Sequence, residues 1–265
     1  LRRGRKRQAQ AAQKAMIFLS RIKIKAAEGY PFIPLIVNTP SFTFTKSVTV
    51  ICGDNGCGKT TFAKIVATAC RSACIAEEGV FGHVADRFTA LRKFIPKRSF
   101  YFSAEQFVQF VRDVEARRED AKAALREIDR SDLSDYAKSL AKMPHAGTLA
   151  SFDRIYGADL SQASHGQGFL AFFNGRLKKD GLYVIDEPEA ALSAENQFLL
   201  AARIKHAAEK DNCQFIICTH SPIVSAIPDA DVYEVQNDNF LPTKWEDLQN
   251  VSFLSMFFKN KDRLF

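Results

Sequence analysis

Eight consecutive residues, Gly53-Asp54-Asn55-Gly56-Cys57-Gly58-Lys59-Thr60, satisfy the pattern G-x-x-x-x-G-K-[ST]. These types at this spacing suit one task, the holding of a phosphate chain. Glycines let the backbone curl until several N–H groups face one anion, and the start of a following helix adds partial positive charge. Lys59 is spaced to reach β- and γ-phosphates, the Thr60 hydroxyl to join a Mg2+ shell, and Thr61 continues the same turn. Such a match arises by chance in about one chain in a hundred of this length, so the flanking sequence decides. Val48-Thr49-Val50-Ile51-Cys52 is an apolar strand pattern, and from Lys59 to about Cys74 the spacing turns helical.

A second constellation is Leu182-Tyr183-Val184-Ile185-Asp186-Glu187. An apolar strand ending in two acids puts carboxylates at the strand's C-terminal end, where α/β sheets bind ligands. Asp186 is expected to hold Mg2+ through water. Glu187 is placed to orient or deprotonate a water attacking the γ-phosphate. Two acids ending a strand are common on protein surfaces, so the weight of this signal comes from its pairing with the phosphate loop.

Ala163-Ser164-His165-Gly166-Gln167 stands upstream, with Ser164 22 residues before Asp186. A serine and a glycine at a helix start offer a hydroxyl and backbone N–H groups to a phosphate. Downstream, Thr219-His220 ends a further apolar run, Phe215-Ile216-Ile217-Cys218, 34 residues after Asp186. A single histidine is more often a satisfied polar residue than a working one; the buried strand before it and its distance from Asp186 promote His220.

Taken together, these residues carry a family resemblance. Ala163 to Gln167 resembles the L-S-G-G-Q signature of ATP-binding-cassette (ABC) ATPases, with His165 in place of the first glycine. Asp186-Glu187-Pro188-Glu189-Ala190-Ala191-Leu192-Ser193 is similar to that family's Walker B run and D-loop, and His220 to its switch histidine. The resemblance covers roughly residues 16–240. Glu189, the Ser221-Pro222 pair and Tyr30-Pro31-Phe32-Ile33-Pro34 are similar to a small, single-domain bacterial AAA/ABC ATPase family allied to SMC, RecF and OLD ATPases. Ser103-Ala104-Glu105-Gln106-Phe107 occupies the place of the Q-loop, with Glu105 the first choice for its nucleotide- and metal-facing residue and Gln106 the alternative.

The resemblance implies an ATPase using ATP and Mg2+, with Lys59, Glu187 and His220 as its catalytic set. Nucleotide contacts are implied for Gly53 to Thr61 and for Glu105. Metal contacts are implied for Thr60, Asp186 and Glu105. It also implies a head-to-tail homodimer with two ATP molecules between the subunits, in which Ser164, Gly166 and Gln167 of one chain cap the nucleotide on the other. The implied task is a nucleotide switch in DNA maintenance or anti-phage defence, acting with a separate effector protein or with nucleic acid. The alternative, from another class, is a nucleotide-gated scaffold whose slow hydrolysis times assembly. A transporter ATPase ranks third, and adenylate-kinase-like transfer would leave the signature and His220 without a role. Tyr30 and Phe32 are candidates for the adenine contact, with core packing the plainer reading of both.

These residues need a scaffold that brings them to one edge. Strands alternating with helices predict an α/β fold with a mainly parallel, covered sheet. Antiparallel N-terminal strands (Ile22 and Ile24; Phe42 and Phe44) and a short helical lobe at about 106–176 accompany it. Residues 106–130 read as an amphipathic helix, 131–165 as short helices and loops, and 232–235 as an edge strand. Trp245, Leu248, Val251, Leu254 and Phe258 recur at helical spacing and predict a C-terminal helix docked on the body. Residues 1–15 are expected to be a disordered arm, and 16–265 one ATPase domain, with the first methionine at Met16.

Charge sharpens this division. Of 37 Lys+Arg and 30 Asp+Glu, six basic residues and no acid fall within 1–15, which leaves the rest near neutral. A uniformly basic nucleic-acid-coating protein is excluded. No apolar run approaches the roughly 18–20 residues that cross a bilayer, so no membrane partner is expected and the cytoplasm is the expected location. The six cysteines show neither zinc spacing nor a disulfide ladder.

Overall fold

A computed structural model describes residues 17–74, 81–156 and 165–264. The arm at 1–15 and Ser164 lie outside the described residues. Two sheets form the body. The larger has the order β5-β6-β7-β3-β8-β9, where β3 is Val48–Cys52, β5 Arg98–Ser103, β6 Gly181–Asp186, β7 Gln214–Cys218, β8 Asp231–Gln236 and β9 Asn239–Pro242. Every pairing in it is parallel except β8 with β9. β3, β6 and β7 are buried at every position, in keeping with their mostly apolar sequences in a sheet covered on both faces. The smaller sheet is antiparallel, in the order β2-β1-β4, from β1 (Leu19–Ile24), β2 (Ser41–Thr43) and β4 (Phe88–Arg92).

Alternation along β3 splits the core in two. Val48, Val50 and Cys52 face the layer built from α3 (Ala104–Arg130), α5 (His165–Arg176), α6 (Ala194–Lys210) and the start of α7 (Gln249–Leu264). Ile51 faces α2 (Lys59–Cys70), the short α1 (Pro34–Val37) and the antiparallel sheet. Gln214, wholly buried at the start of β7, welds the two sheets. Its Oε1 accepts from Phe18 N and Leu19 N, both at 2.8 Å, and its Nε2 donates to Leu19 O at 2.9 Å. A buried amide kept inside an apolar layer is tolerated because both ends are satisfied.

Three expectations are corrected. Within 131–156 the chain is not a set of short helices and loops: α4 (Asp135–Tyr156) is one helix of 22 residues with Pro144 inside it. Its helical neighbour α3 packs along it and offsets the lost backbone bond. β8 is not the edge strand; β9 pairs outside it, two residues later through a tight Asn237-Asp238 turn at positive φ. The C-terminal helix docks only at its start. Leu248 and Val251 are buried, whereas Phe253, Met256 and Phe258 are exposed.

Candidate functional site

Parallel register makes the site. Ser103 pairs with Asp186, Asp186 with Cys218, and Ile51 with Cys218, so β3, β5, β6 and β7 end at one edge of the sheet. The phosphate loop leaves β3 there, the acidic pair ends β6, His220 follows β7 and Glu105 follows β5.

Gly58 adopts φ +99, ψ 7 and opens α2. A Cβ at this position would lie 2.6 Å from Ile33 Cδ1 and 3.0 Å from Leu35 Cδ2, so the loop closes against α1 only with glycine there. Lys59 is nearly fully buried. Its ammonium donates to Gly53 O at 2.8 Å and Asp54 O at 2.7 Å, and lies 3.7 Å from Cys57 Sγ. One cation thus pins both ends of the curl, while Asp54, Asn55 and Gly56 stay exposed and Thr61 is buried.

Thr60 Oγ1 donates to Asp186 Oδ1 at 3.2 Å, and Tyr101 Oη donates to Asp186 Oδ2 at 3.2 Å. Burial pushes the Asp186 carboxyl up to about 6; the Thr60 hydrogen bond opposes the shift, the Glu187 charge adds to it, and the Tyr101 hydrogen bond opposes it. Tyr101, wholly buried, has its own phenol pushed up by desolvation and by that carboxylate. A hydroxyl and a carboxylate, both hard oxygens, fit Mg2+, which takes few protein ligands and keeps waters and phosphate oxygens.

Glu187 sits at φ 46, ψ 51, a left-handed conformation that costs a non-glycine residue about 1 kcal/mol. Its backbone N–H donates to Cys218 O at 2.8 Å, extending the β6–β7 ladder by one step before the chain turns through Pro188–Ala191. Ile33, Gly56, Gly58, Lys59, Thr60, Thr61, Glu187 and Tyr30 line one hollow of about 280 Å3. Lys59, Thr60 and Glu187 therefore meet, with Asp186 behind Thr60.

His220 and Glu105 are not among the residues that line that hollow. His220 is at the same edge, with its side chain 46% exposed. Glu105 is exposed in the first turn of α3, while Gln106 Oε1 is buried with no hydrogen-bond partner. Gly166 and Gln167 lie in the first turn of α5. Of the two aromatic candidates, Phe32 packs in the core near Phe88. Tyr30 departs from core packing: it is 61% exposed, edge-on to Phe81, and borders the hollow.

Three positioning contacts were not legible in the sequence. Tyr101 reads as one more aromatic in an apolar strand. Asn250 Nδ2 donates to His220 O at 2.6 Å, and Trp245 Nε1 donates to Pro222 O at 2.9 Å, so the segment at the start of α7 fixes the loop after β7. All six cysteines are free thiols; burial pushes Cys52 up to about 12 and Cys70 up to about 11, leaving neither reactive.

A phosphate loop joining a buried parallel strand to a helix, with an acidic pair ending a strand of the same sheet, defines a P-loop nucleotide-binding fold. Comparison with known proteins makes the class more particular. Residues 159–224, from before α5 to the turn after His220, match the family described as an AAA ATPase domain. An ATP-binding cassette of an ABC transporter is 18% identical with a TM-score of 0.51, over 92% of this chain and 98% of that one. A nucleotide-free cassette from an ABC transporter is 19% identical, TM-score 0.49, over 89% and 96%. The SMC head domain from Thermotoga maritima is 16% identical, TM-score 0.45, over 86% and 100%. No curated protein matches the chain. The chain has the fold of an ABC-type ATPase cassette, as the resemblance of its motifs implied. No described helix is long and apolar enough to cross a membrane.

Proposed function

We propose that the chain binds ATP with Mg2+ on the loop Gly53–Thr61 and hydrolyses it, using nucleotide occupancy as a switch. The observation that carries this reading is the meeting of Lys59, Thr60 and Glu187 in one hollow, with Asp186 hydrogen-bonded behind Thr60. Loop N–H groups and the start of α2 would bind the β-phosphate, and Lys59 would exchange its loop carbonyls for β- and γ-phosphate oxygens. Thr60 and Asp186 would hold Mg2+, whose charge would offset that of the phosphates. Glu187, at the rim, would orient the attacking water and take its proton. Tyr30, exposed beside the hollow, is the better placed of the two aromatics to cover the base.

Turnover as an ATP-sandwiched homodimer is the second part of the proposal. It rests on the sequence resemblance of Ser164, Gly166 and Gln167 to a signature that caps a partner's nucleotide. Binding two triphosphates would close the dimer and hydrolysis would open it. The task proposed for the switch is DNA maintenance or anti-phage defence with a separate effector.

Glu187→Gln tests the core. The variant should bind ATP with unchanged affinity, turn over at least about a hundredfold more slowly, and run as a dimer by light scattering at saturating ATP. A monomer under those conditions removes the sandwich. Undiminished turnover removes the role of Glu187. Stimulation of wild-type turnover by DNA favours the maintenance role; slow turnover indifferent to DNA favours a nucleotide-timed scaffold.

A further inference from the structure

Glu189 lies outside every role assigned so far, yet one of its carboxylate oxygens makes two polar contacts to His220. Its side chain is 4% exposed, and its Oε1 accepts from the His220 backbone N–H at 2.6 Å and lies 3.0 Å from His220 Nδ1. The other oxygen, Oε2, is buried with no hydrogen-bond partner. An ionised carboxylate only accepts hydrogen bonds, so the ring nitrogen facing it carries the proton. That contact favours the Nδ1–H form of a neutral imidazole, which leaves Nε2 unprotonated. With Asn250 on its carbonyl, His220 is fixed at its backbone N–H, its carbonyl and Nδ1. Burying a carboxylate with one oxygen unmatched costs free energy that an apolar side chain would avoid, so packing alone does not account for an acid here.

The placement of Glu189 adds a mechanical link. It belongs to the short turn Pro188–Ala191 that begins at Glu187, so its carboxylate ties that turn directly to the loop after β7. We propose that Glu189 is the positioning residue of His220. It fixes the ring tautomer that presents Nε2 as an acceptor in the neutral ring and as a donor when the ring is charged. It also couples the ring to the turn that carries Glu187, so that the two groups shift together. The inference rests on the proposed role of His220 at the γ-phosphate, but its first test does not depend on turnover.

Spectra of the nucleotide-free full chain, labelled at the histidine ring nitrogens and assigned by loss of the signal in His220→Ala, read the tautomer directly. The Nδ1–H form should dominate in the wild type and in Glu189→Gln, whose side-chain oxygen still accepts. Glu189→Leu should give mixed forms. An Nε2–H ring in the wild type, or an unchanged ring in Glu189→Leu, overturns the proposal. Kinetics supply the second test. Glu189→Leu should lower kcat as much as His220→Ala does, on the order of 10–100-fold, with KM moved less than about threefold. The double variant should be no slower than either single variant within about twofold, whereas losses that multiply would show two independent roles and overturn the coupling. If Glu189→Leu does not fold, Glu189→Gln decides: Nδ1–H with kcat within about tenfold of wild type supports the proposal, and a loss matching His220→Ala with the tautomer intact overturns it. Absence of wild-type hydrolysis would sink the proposed ATPase function and leave the ring spectrum to judge Glu189.

Discussion

Thr60 and Asp186, 126 residues apart in sequence, are joined by a 3.2 Å hydrogen bond from the Thr60 hydroxyl to Asp186 Oδ1. The bond links the first turn of α2 to the end of β6 and sets two hard oxygens side by side. Tyr101 holds the second carboxylate oxygen from β5, so three elements fix the orientation of one acid.

Asp186 predicts an unusual pH profile of stability. Its folded pKa, about 6, lies above the roughly 3.9 of an unfolded aspartate, so the folded state binds the proton more tightly. The stabilising contribution of this group is fully present below about pH 4 and is lost as pH rises through 6, on the order of 2–3 kcal/mol. Asp186→Asn should therefore melt higher than the wild type at pH 7.5, with the gap closing by pH 4, in the absence of nucleotide and metal. Equal melting temperatures across that range would refute the argument. The same variant should lose the Mg2+-dependent part of ATP binding.

Lys59→Met should reduce affinity for ATP by about a hundredfold or more, measured by titration with a fluorescent analogue. The loss comes from the missing charge at the phosphates and from a free loop that is no longer held in its curl by the ammonium on Gly53 O and Asp54 O before nucleotide arrives. Lys59→Arg should not restore binding, because the guanidinium is too bulky for a side chain this deeply buried. Full rescue by arginine would show that charge alone matters.

Gly58→Ala places a Cβ at a backbone φ of +99 and within 2.6 Å of Ile33 Cδ1. The expected cost is about 1–3 kcal/mol in chemical denaturation, with ATP binding weakened further as the loop shifts. A neutral result would mean that α1 yields to the added methyl.

Removal of residues 1–15 takes away six basic groups and no acid. ATP turnover should survive the deletion. If the arm is what meets nucleic acid, DNA affinity should fall and its salt dependence should flatten by up to about one unit of slope per lost phosphate contact, measured by titration at several salt concentrations. DNA affinity that survives unchanged belongs to the near-neutral body.

The placement of Gly53–Thr61 between a strand and a helix, and of Asp186-Glu187 at a strand end, was legible in the sequence because both are local. A loop, a capping glycine and two acids ending an apolar run are specified by adjacent residues. The core strands β3, β6 and β7 were legible for the same reason, since a strand buried on both faces is apolar along most of its length. Local pattern misled where a neighbour decided the outcome. The polar, proline-containing stretch of α4 is held helical by packing along α3, and Phe258 has helical spacing but no surface to cover it. Tyr101 under Asp186, Asn250 on the carbonyl of His220 and Glu189 against its ring depend on sheet register and on the docking of α7, which no short window of sequence contains. By itself the sequence determined which groups are present and which ligand they suit. Only the tertiary structure decided which of them touch, because a hydrogen bond between residues 85 or 126 positions apart exists only once parallel strands have aligned their ends.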